Sequence, residues 1–471
     1  MPTRHEELRV VWNSMDRISI YLDIVPMPVL VAAVMAAVLV FLAIPAQYRL
    51  VLSLAIVPVW LTLSRLPDLG VISQAAKVSS AMVFFLVGLG AFLHPGPRRK
   101  LPGIVWLYMI MACIMFLYVF QVQDRMLAML LRLQWFMVVF AAIMLIRTVV
   151  HTQDLTRIVN GLAFGCFLAL LLPLSALVLF PGEAFLRGAG RFQPYGVNSN
   201  QIGMLFAIAF PLLYYKGITT RAISLKPIIF SGVGLTLGMT LLTASRQTLL
   251  AILMVSIPII FKLSRRPIIT IIALAVGFGV VTYVIGLAEN TAFDRFADLE
   301  SERIEIWSAY LRDVYPQRPL FGLFGVNSEL AFKSSVVGIH PHSAYFNLMY
   351  MGGLSLLIPM MVLLFTSLSC TLRSWKLRNF LGCDPFLVSI LGMMLVAMYT
   401  QGLFNQVVYW PTYTWSFAHV ILAIFFISIG TDLKSEDPQL VLPDIEDEGW
   451  GDGEEEWDES EELEEYAVQG Y

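Results

Sequence analysis

In this 471-residue chain, 58% of it apolar, four short stretches carry side chains suited to chemistry on a phosphorylated substrate. The first runs from Gly188 to Asn200 and holds Arg191 among Gly and Pro positions that shape a loop. Asn198 and Asn200 stand where they can cap the next helix. Its positive N-terminal end would face the same pocket as Arg191, a setting that suits phosphate. The second stretch is Ser245-Arg246, set in the otherwise apolar sequence from Pro227 to Phe261. A charge deep in lipid costs at least roughly 2.5 to 3.5 kcal/mol, so Arg246 belongs at a turn or beside a polar cavity. The third is Arg303 with Trp307 one turn later, on a helix that Ser301 can cap. There Ile304, Trp307, Leu311 and Val314 recur at helical spacing, which predicts a helix packed by that face along a membrane surface. The fourth is His340-Pro341-His342, followed by Ser343, Ala344 and Tyr345 at the start of an apolar run.

Imidazole is the side chain that exchanges a proton near neutral pH unaided, which suits a His to accept the proton of a sugar hydroxyl. Each stretch alone also fits a plainer role. Arg191 can snorkel to an interface beside an ordinary helix cap, Arg246 can sit at a hairpin tip, and Arg303 can pair with a neighbouring Glu. The two His can be structural or bind a metal, but no Cys or further His joins them, so neither metal nor cofactor is expected.

The elements that must position these residues are membrane helices. Apolar runs of about 17 to 25 residues are long enough to cross a hydrocarbon core as helices, which satisfy their own backbone groups. Thirteen candidate spans lie between residues 24 and 430, the tenth near 267–287, so the predicted fold is an all-α polytopic transmembrane bundle. A polar segment, 1–23, precedes the membrane domain, 24–430, which contains one long loop, 288–342, with a short helix. The first apolar run lacks a small-residue cleavage signature, so no removed signal peptide is expected.

Charge divides the chain. Residues 432–471 hold 17 of the 34 acidic residues and one Lys, while the body up to Thr431 carries 30 basic and 17 acidic residues, a net +13. The tail, 431–471 as a unit, is too poor in apolar surface to offset its ordering entropy and reads as a disordered cytoplasmic extension. Short loops with Arg98-Arg99-Lys100, Lys216 with Arg221 and Lys226, Lys262 with Arg265-Arg266, and Arg373 with Lys376 and Arg378 fall on one side, which the positive-inside rule makes cytoplasmic. The loop 181–198, the Ser245-Arg246 turn and the loop 288–342 then share the opposite side. Thirteen spans would put the amino terminus outside although Arg4, Arg9 and Arg17 favour inside, so an early span is miscounted or does not cross. The four Cys (Cys113, Cys166, Cys370, Cys383) lie in or beside apolar runs and read as buried structural thiols.

Taken in order, the four stretches resemble the O-antigen ligase and polymerase superfamily. Its members show a Gly-Arg-Phe segment before an Asn-rich helix start, here Gly190-Arg191-Phe192 to Asn200, and a Ser-Arg at a helix junction, here Ser245-Arg246. They also show an Arg with a Trp four residues on before a Pro-Leu-x-Gly-x-x-Gly-like turn, here Arg303, Trp307 and Pro319 to Gly325. Last comes a His-Asn-x-Tyr-Leu-like segment with a Gly about eleven residues on, here His342 to Phe346 with Gly353. The likeness covers roughly residues 75–430. Ser343 stands where Asn is usual, and Ser199 where the helix start usually has Pro.

The resemblance implies an inverting, metal-independent glycosyltransferase in the bacterial inner membrane, its site facing the periplasm. The donor would be a glycan on undecaprenyl diphosphate, and the acceptor a glycan, a lipid A core or a protein. Arg191, Arg246 and Arg303 would hold the diphosphate and stabilise it as it leaves. Asn198, Asn200, Trp307, His340 and Tyr345 would line the substrate, and His342 would be the base. The partners implied are the lipid bilayer and polysaccharide assembly proteins, with no nucleic acid. Two other classes fit the same composition: a flippase or transporter of lipid-linked oligosaccharide, and a non-catalytic scaffold supported by the acidic tail.

Overall fold

The computed structural model describes residues 27–121, 125–185, 190–264, 303–323, 342–405 and 413–433. These form an all-helical bundle, and eleven of the helices are long and apolar enough to cross a membrane. In chain order they are α1 (Met27–Ala43), α2 (Ala46–Leu63), α3 (Val71–Phe92), α4 (Trp106–Leu117), α5 (Arg125–Arg147), α6 (Thr152–Leu179) and α7 (Ser199–Thr219). Then follow α8 (Lys226–Thr243), α9 (Arg246–Ser264), the short α10 (Arg303–Ala309), α11 (Ala344–Lys376), α12 (Pro385–Phe404) and α13 (Thr414–Asp432). The helix α4 is extended by 3-10 turns at both ends, so its span runs Gly103–Phe120.

The expected multi-pass bundle is therefore present. Eleven of the thirteen expected spans coincide with these long helices; that near 24–44 is the 17-residue α1, and that near 267–287 lies outside the described residues, as do 1–26 and the tail from 434. From α2 onward consecutive helices turn back on one another and give the bundle two ends. One, the basic end, gathers Arg98, Arg99, Arg147, Lys216, Lys262, Arg373 and Lys376. There Arg373 donates to the Gly430 carbonyl at 2.9 Å and Arg99 pairs with Asp432 at 3.4 Å, so the last helix is fastened where the acidic tail begins. The other, the site end, collects the close of α2, α6, α8 and α12 and the start of α3, α7, α9, α11 and α13.

Lipid tails are as apolar as Leu, so helices in a membrane associate through close packing and polar contacts rather than through water exclusion. The α2–α6 pair shows the packing route. Gly161 and Gly165 lie one turn apart on α6, and a Cβ at Gly165 would overlap the Ala55 carbonyl oxygen of α2, while one at Gly161 would meet Leu54 Cβ at 2.9 Å. The most enclosed helix is α13, whose residues Thr414 to Gly430 are all buried. Of the four Cys, three are buried as expected, but Cys113 on α4 is exposed, which costs little on a face turned to lipid.

Gly165→Val is expected to cost about 1 to 3 kcal/mol through overpacking against α2. Gly234→Val on α8, where nothing lies within 4 Å of an added Cβ, should be neutral. Thermal unfolding in a mild detergent checks this, and equal midpoints for the two variants would discount the α2–α6 contact.

Candidate functional site

At the site end the sequence places a Gly- and Pro-rich loop just before α7. Phe192 enters the core there, its N–H donating to the Leu242 carbonyl at 2.9 Å and its carbonyl accepting from Ser199 Oγ at 3.0 Å. This fixes Arg191. Its Nε donates to the Thr243 carbonyl at 3.0 Å and a terminal nitrogen donates to Asn200 Oδ1 at 3.2 Å. Only one of the two expected caps holds. Asn198 is the N-cap of α7, accepting from the Asn200 N–H at 2.9 Å, whereas the Asn200 side chain turns to Arg191.

Thr243 is the last residue of α8, so Arg191 is tied to the neighbouring turn. That turn is only two residues long. Ala244 adopts a left-handed conformation (φ 46°, ψ 37°) and closes α8, and Ser245 Oγ accepts from the Thr248 N–H at 3.3 Å as α9 begins. Arg246 is the first residue of α9 and is exposed. Of the two placements expected for it, the structure adopts the turn. The α7–α9 contact is tight, since a Cβ on Gly203 would overlap Thr248 Oγ1.

The next residue, Gln247, joins this turn to the end of α12. Its Nε2 donates to the Phe404 carbonyl at 2.8 Å, its Oε1 accepts from Asn405 at 3.1 Å, and its backbone carbonyl accepts from the buried Gln401 side chain. One residue beyond Gln401, the Gly402 carbonyl lies 3.4 Å from Ser343 Oγ, the residue after His342. His342 itself is exposed and has φ 47°, a left-handed conformation that an L-residue holds only at a cost of about 1 to 3 kcal/mol and that clusters at functional sites. Tyr345, expected against the substrate, instead points into the bundle, where its hydroxyl donates to the Tyr399 carbonyl at 3.0 Å. A phenol at the start of a membrane helix needs a buried acceptor, and the adjacent helix supplies one.

The segment 303–323 reaches the same end by another route. The Trp307 ring stacks on Phe346, centroids 5.4 Å apart and planes 17° apart, which sets α10 beside the residues following His342. The packing face differs from that expected. Ile306 and Tyr310 are buried, while Ile304 and Leu311 are 74% and 50% exposed. Residues 310–314 form a π turn that breaks the 3.6-residue register for Leu311, and Ile304, on the regular turn before it, is exposed where an apolar side chain facing lipid pays no penalty. The Arg303 side chain, His340 and Ser301 lie outside the described residues.

What holds this segment is a break in α11. Gly353 takes φ 58° and ψ −149°, a region open essentially to Gly alone, and the broken turn turns its polar groups outward. Leu354 N–H donates to Pro319 O at 2.9 Å, Ser355 N–H to Leu320 O at 3.0 Å, and Leu323 N–H to Tyr350 O at 2.8 Å. The two backbones are so close that a Cβ on Gly322 (φ 64°) would stand 2.6 Å from the Gly353 nitrogen, and one on Gly353 would overlap Pro319 O. This interlock fastens the turn that begins at Pro319 to the bundle. Beside it Ser355 Oγ and Tyr118 OH share a hydrogen bond of 2.6 Å, and the buried Arg132 of α5 lies 4.0 Å from Met351 Sδ.

The four stretches singled out in the sequence are thus linked at one end of the bundle: Arg191 to the end of α8, the adjoining turn through Gln247 to α12, α12 to Ser343, and Phe346 to Trp307. Sequence reasoning missed Gln247, Gln401 and Asn405, the polar ties between helices, although an uncharged amide in an apolar run is the available signal. It also passed over Arg65, which closes α2. Among the described residues no group of three or more His, Cys, Asp and Glu could hold a metal ion.

Comparison with protein-family models returns no match for this chain, and comparison with curated proteins returns none either.

The interlock makes a direct prediction. Gly353→Ala should lower the midpoint of thermal unfolding and expose the chain to trypsin after Arg312, because the side chain meets both a forbidden φ and the Pro319 carbonyl. A variant as stable and as protease-resistant as the parent would show that 303–323 is held by something else.

Proposed function

We propose that the chain is a membrane glycosyltransferase of the O-antigen ligase or polysaccharide polymerase type. It would move a glycan from undecaprenyl diphosphate to an acceptor hydroxyl. The observation that carries this reading is the linkage at one end of the bundle of the segments bearing Arg191, Arg246, Arg303 and His342, which are far apart in sequence.

On this reading His342 accepts the proton of the acceptor hydroxyl as its oxygen attacks the anomeric carbon. The bond from that carbon to the diphosphate oxygen breaks, and the electron pair leaves with the diphosphate. Arg191, Arg246 and Arg303 stabilise the departing anion. Guanidinium suits this task because it is permanently charged and forks onto phosphate oxygens, and because charge-assisted bonds contribute about 1.5 to 3 kcal/mol each. Cations held by the fold before the reaction act where charge develops, which lowers the barrier rather than only tightening binding. One displacement inverts the anomeric centre.

Two observations support the assignment of roles. Arg191 is preset by two hydrogen bonds from its own guanidinium, and His342 keeps a strained backbone at an exposed position beside a polar, buried Ser343. The basic end, by the positive-inside rule, faces the cytoplasm, which turns the site toward the periplasm of a bacterial inner membrane. The acceptor is a lipid-linked glycan, a lipid A core or a protein, and polysaccharide assembly proteins are the natural neighbours of such an enzyme.

His342→Ala should reduce transfer of lipid-linked glycan in reconstituted vesicles by about 100-fold or more, the usual contribution of a general base, with the variant still inserted and folded. Glycan moved across the vesicle with no new glycosidic bond would point to a flippase, and full transfer by the Ala variant would remove His342 as the base.

A further inference from the structure

The end of the bundle opposite the candidate site closes on a crowd of like charges. Arg373, in the last turn of α11, donates to the Gly430 carbonyl at 2.9 Å, and Arg99 pairs with Asp432 at 3.4 Å. The Arg99 N–H donates to the carbonyl of Arg147, the last residue of α5, at 2.8 Å, and Arg98 donates to the Phe92 and His94 carbonyls at 2.8 and 2.6 Å. Burial, and after it the like charge of Arg147, lowers the Arg98 pKa. A carbonyl oxygen orients a guanidinium without neutralising it, so of the partners named here Asp432 alone carries an opposite charge.

These residues surround the close of α13, a helix whose residues Thr414 to Gly430 are all buried and which packs on α2, α5, α7, α11 and α12. They therefore stand toward the middle of the basic end, whereas lipid headgroups meet its rim. Lys100, Arg221, Lys262 and Lys376 add exposed cations to the same end. The sequence that continues from α13 has the opposite sign. Residues 433–471 hold 16 acidic residues and one Lys. Glu436 and Asp437 follow Asp432 by four and five residues, a reach of up to roughly 17 Å at about 3.4 Å per residue, so carboxylates are available to the Arg cluster from the start.

We propose that the basic end is an interaction surface whose partner is the acidic segment 434–471 of the same chain, laid over the Arg cluster at the close of α13. Sign, place and tether select this occupant. An anionic lipid has the sign but comes to the rim, and a second copy of the chain has the sign but no tether. A segment that begins on the surface it covers is present there at an effective concentration on the order of millimolar. As a counter-ion it weakens the field that the basic end offers to other anions, and it lets go as salt screens the charges. The inference stands on this end alone and not on transfer chemistry at the other.

The test uses the full chain in nanodiscs of phosphatidylcholine, treated with a carbodiimide that joins Lys to carboxylates in direct contact, with coupled peptides identified by mass spectrometry. Isotope-labelled and unlabelled chains are mixed before reconstitution, so a coupling within one chain carries a single label. Lys100 and Lys376 should couple to carboxylates of 436–465 at about 0.01 M salt and about tenfold less at about 1 M, where the Debye length falls from about 30 Å to about 3 Å. Arg98→Gln combined with Arg147→Gln should reduce the Lys100 coupling severalfold, and should that variant fail to fold, the salt series on the parent decides by itself. Absence of these couplings, or equal yields at both salt levels, overturns the proposal. Couplings that carry both labels assign the segment to a second copy and overturn it too, as does their loss in nanodiscs of phosphatidylglycerol, which would give the surface to lipid headgroups.

Discussion

In a hydrocarbon solvent every backbone N–H and C=O must be satisfied within the protein, and this constraint governs the site end. An unbroken helix meets it by itself. The helix α11 does not, because Gly353 interrupts it and frees the Tyr350 carbonyl and the Leu354 and Ser355 N–H groups. The turn at Pro319–Leu323 takes up all three. The break and the docked segment are thus one unit, each needing the other, and both meeting points require Gly for the same reason: no Cβ fits between the backbones. A polar segment of 303–323 is thereby given a fixed seat on the bundle, which a loop tethered only by its ends would lack.

The second device is a set of neutral polar ties. Gln247 at the start of α9 exchanges hydrogen bonds with the last turn of α12 through both its side chain and its backbone. Such contacts are worth little individually, on the order of 0.6 kcal/mol in membrane bundles, so their value lies in register rather than in stability. They set the height of the Arg246 turn against Gly402, and through it against Ser343 and His342. A similar economy holds Arg191: its hydrogen bonds to Thr243 and Asn200 anchor the guanidinium to the two helix ends it lies between.

The fold class was legible in the sequence because its cause is additive. Long apolar runs force membrane helices whatever their neighbours do, and the charged and Gly-rich interruptions mark their ends. Much of the candidate site was legible for a related reason, since Arg191, Arg246 and His342 break the apolar pattern. What stayed hidden depends on pairing between distant segments. The period that put Ile304 and Leu311 on a packing face assumed an unbroken α-helix, which the π turn over 310–314 voids for Leu311. The resemblance assigned Tyr345 to the substrate, yet a helix start turns each residue by about 100°, and the hydroxyl of this one meets the Tyr399 carbonyl. Arg65 closes a span like any interfacial Arg, and only the approach of Tyr413 from the far end of the sequence distinguishes it.

The cations raise the last question, that of sign. The described basic end has cations enough to orient the chain, and Arg at the opposite end works against that orientation. The contacts seen differ from case to case: helix-end carbonyl and amide oxygens for Arg191 and an aromatic face for Arg65, while Arg246 stands exposed at a turn. A carbonyl or a ring orients a guanidinium and leaves its charge in place, whereas a carboxylate neutralises it, as Asp432 does for Arg99 at the other end.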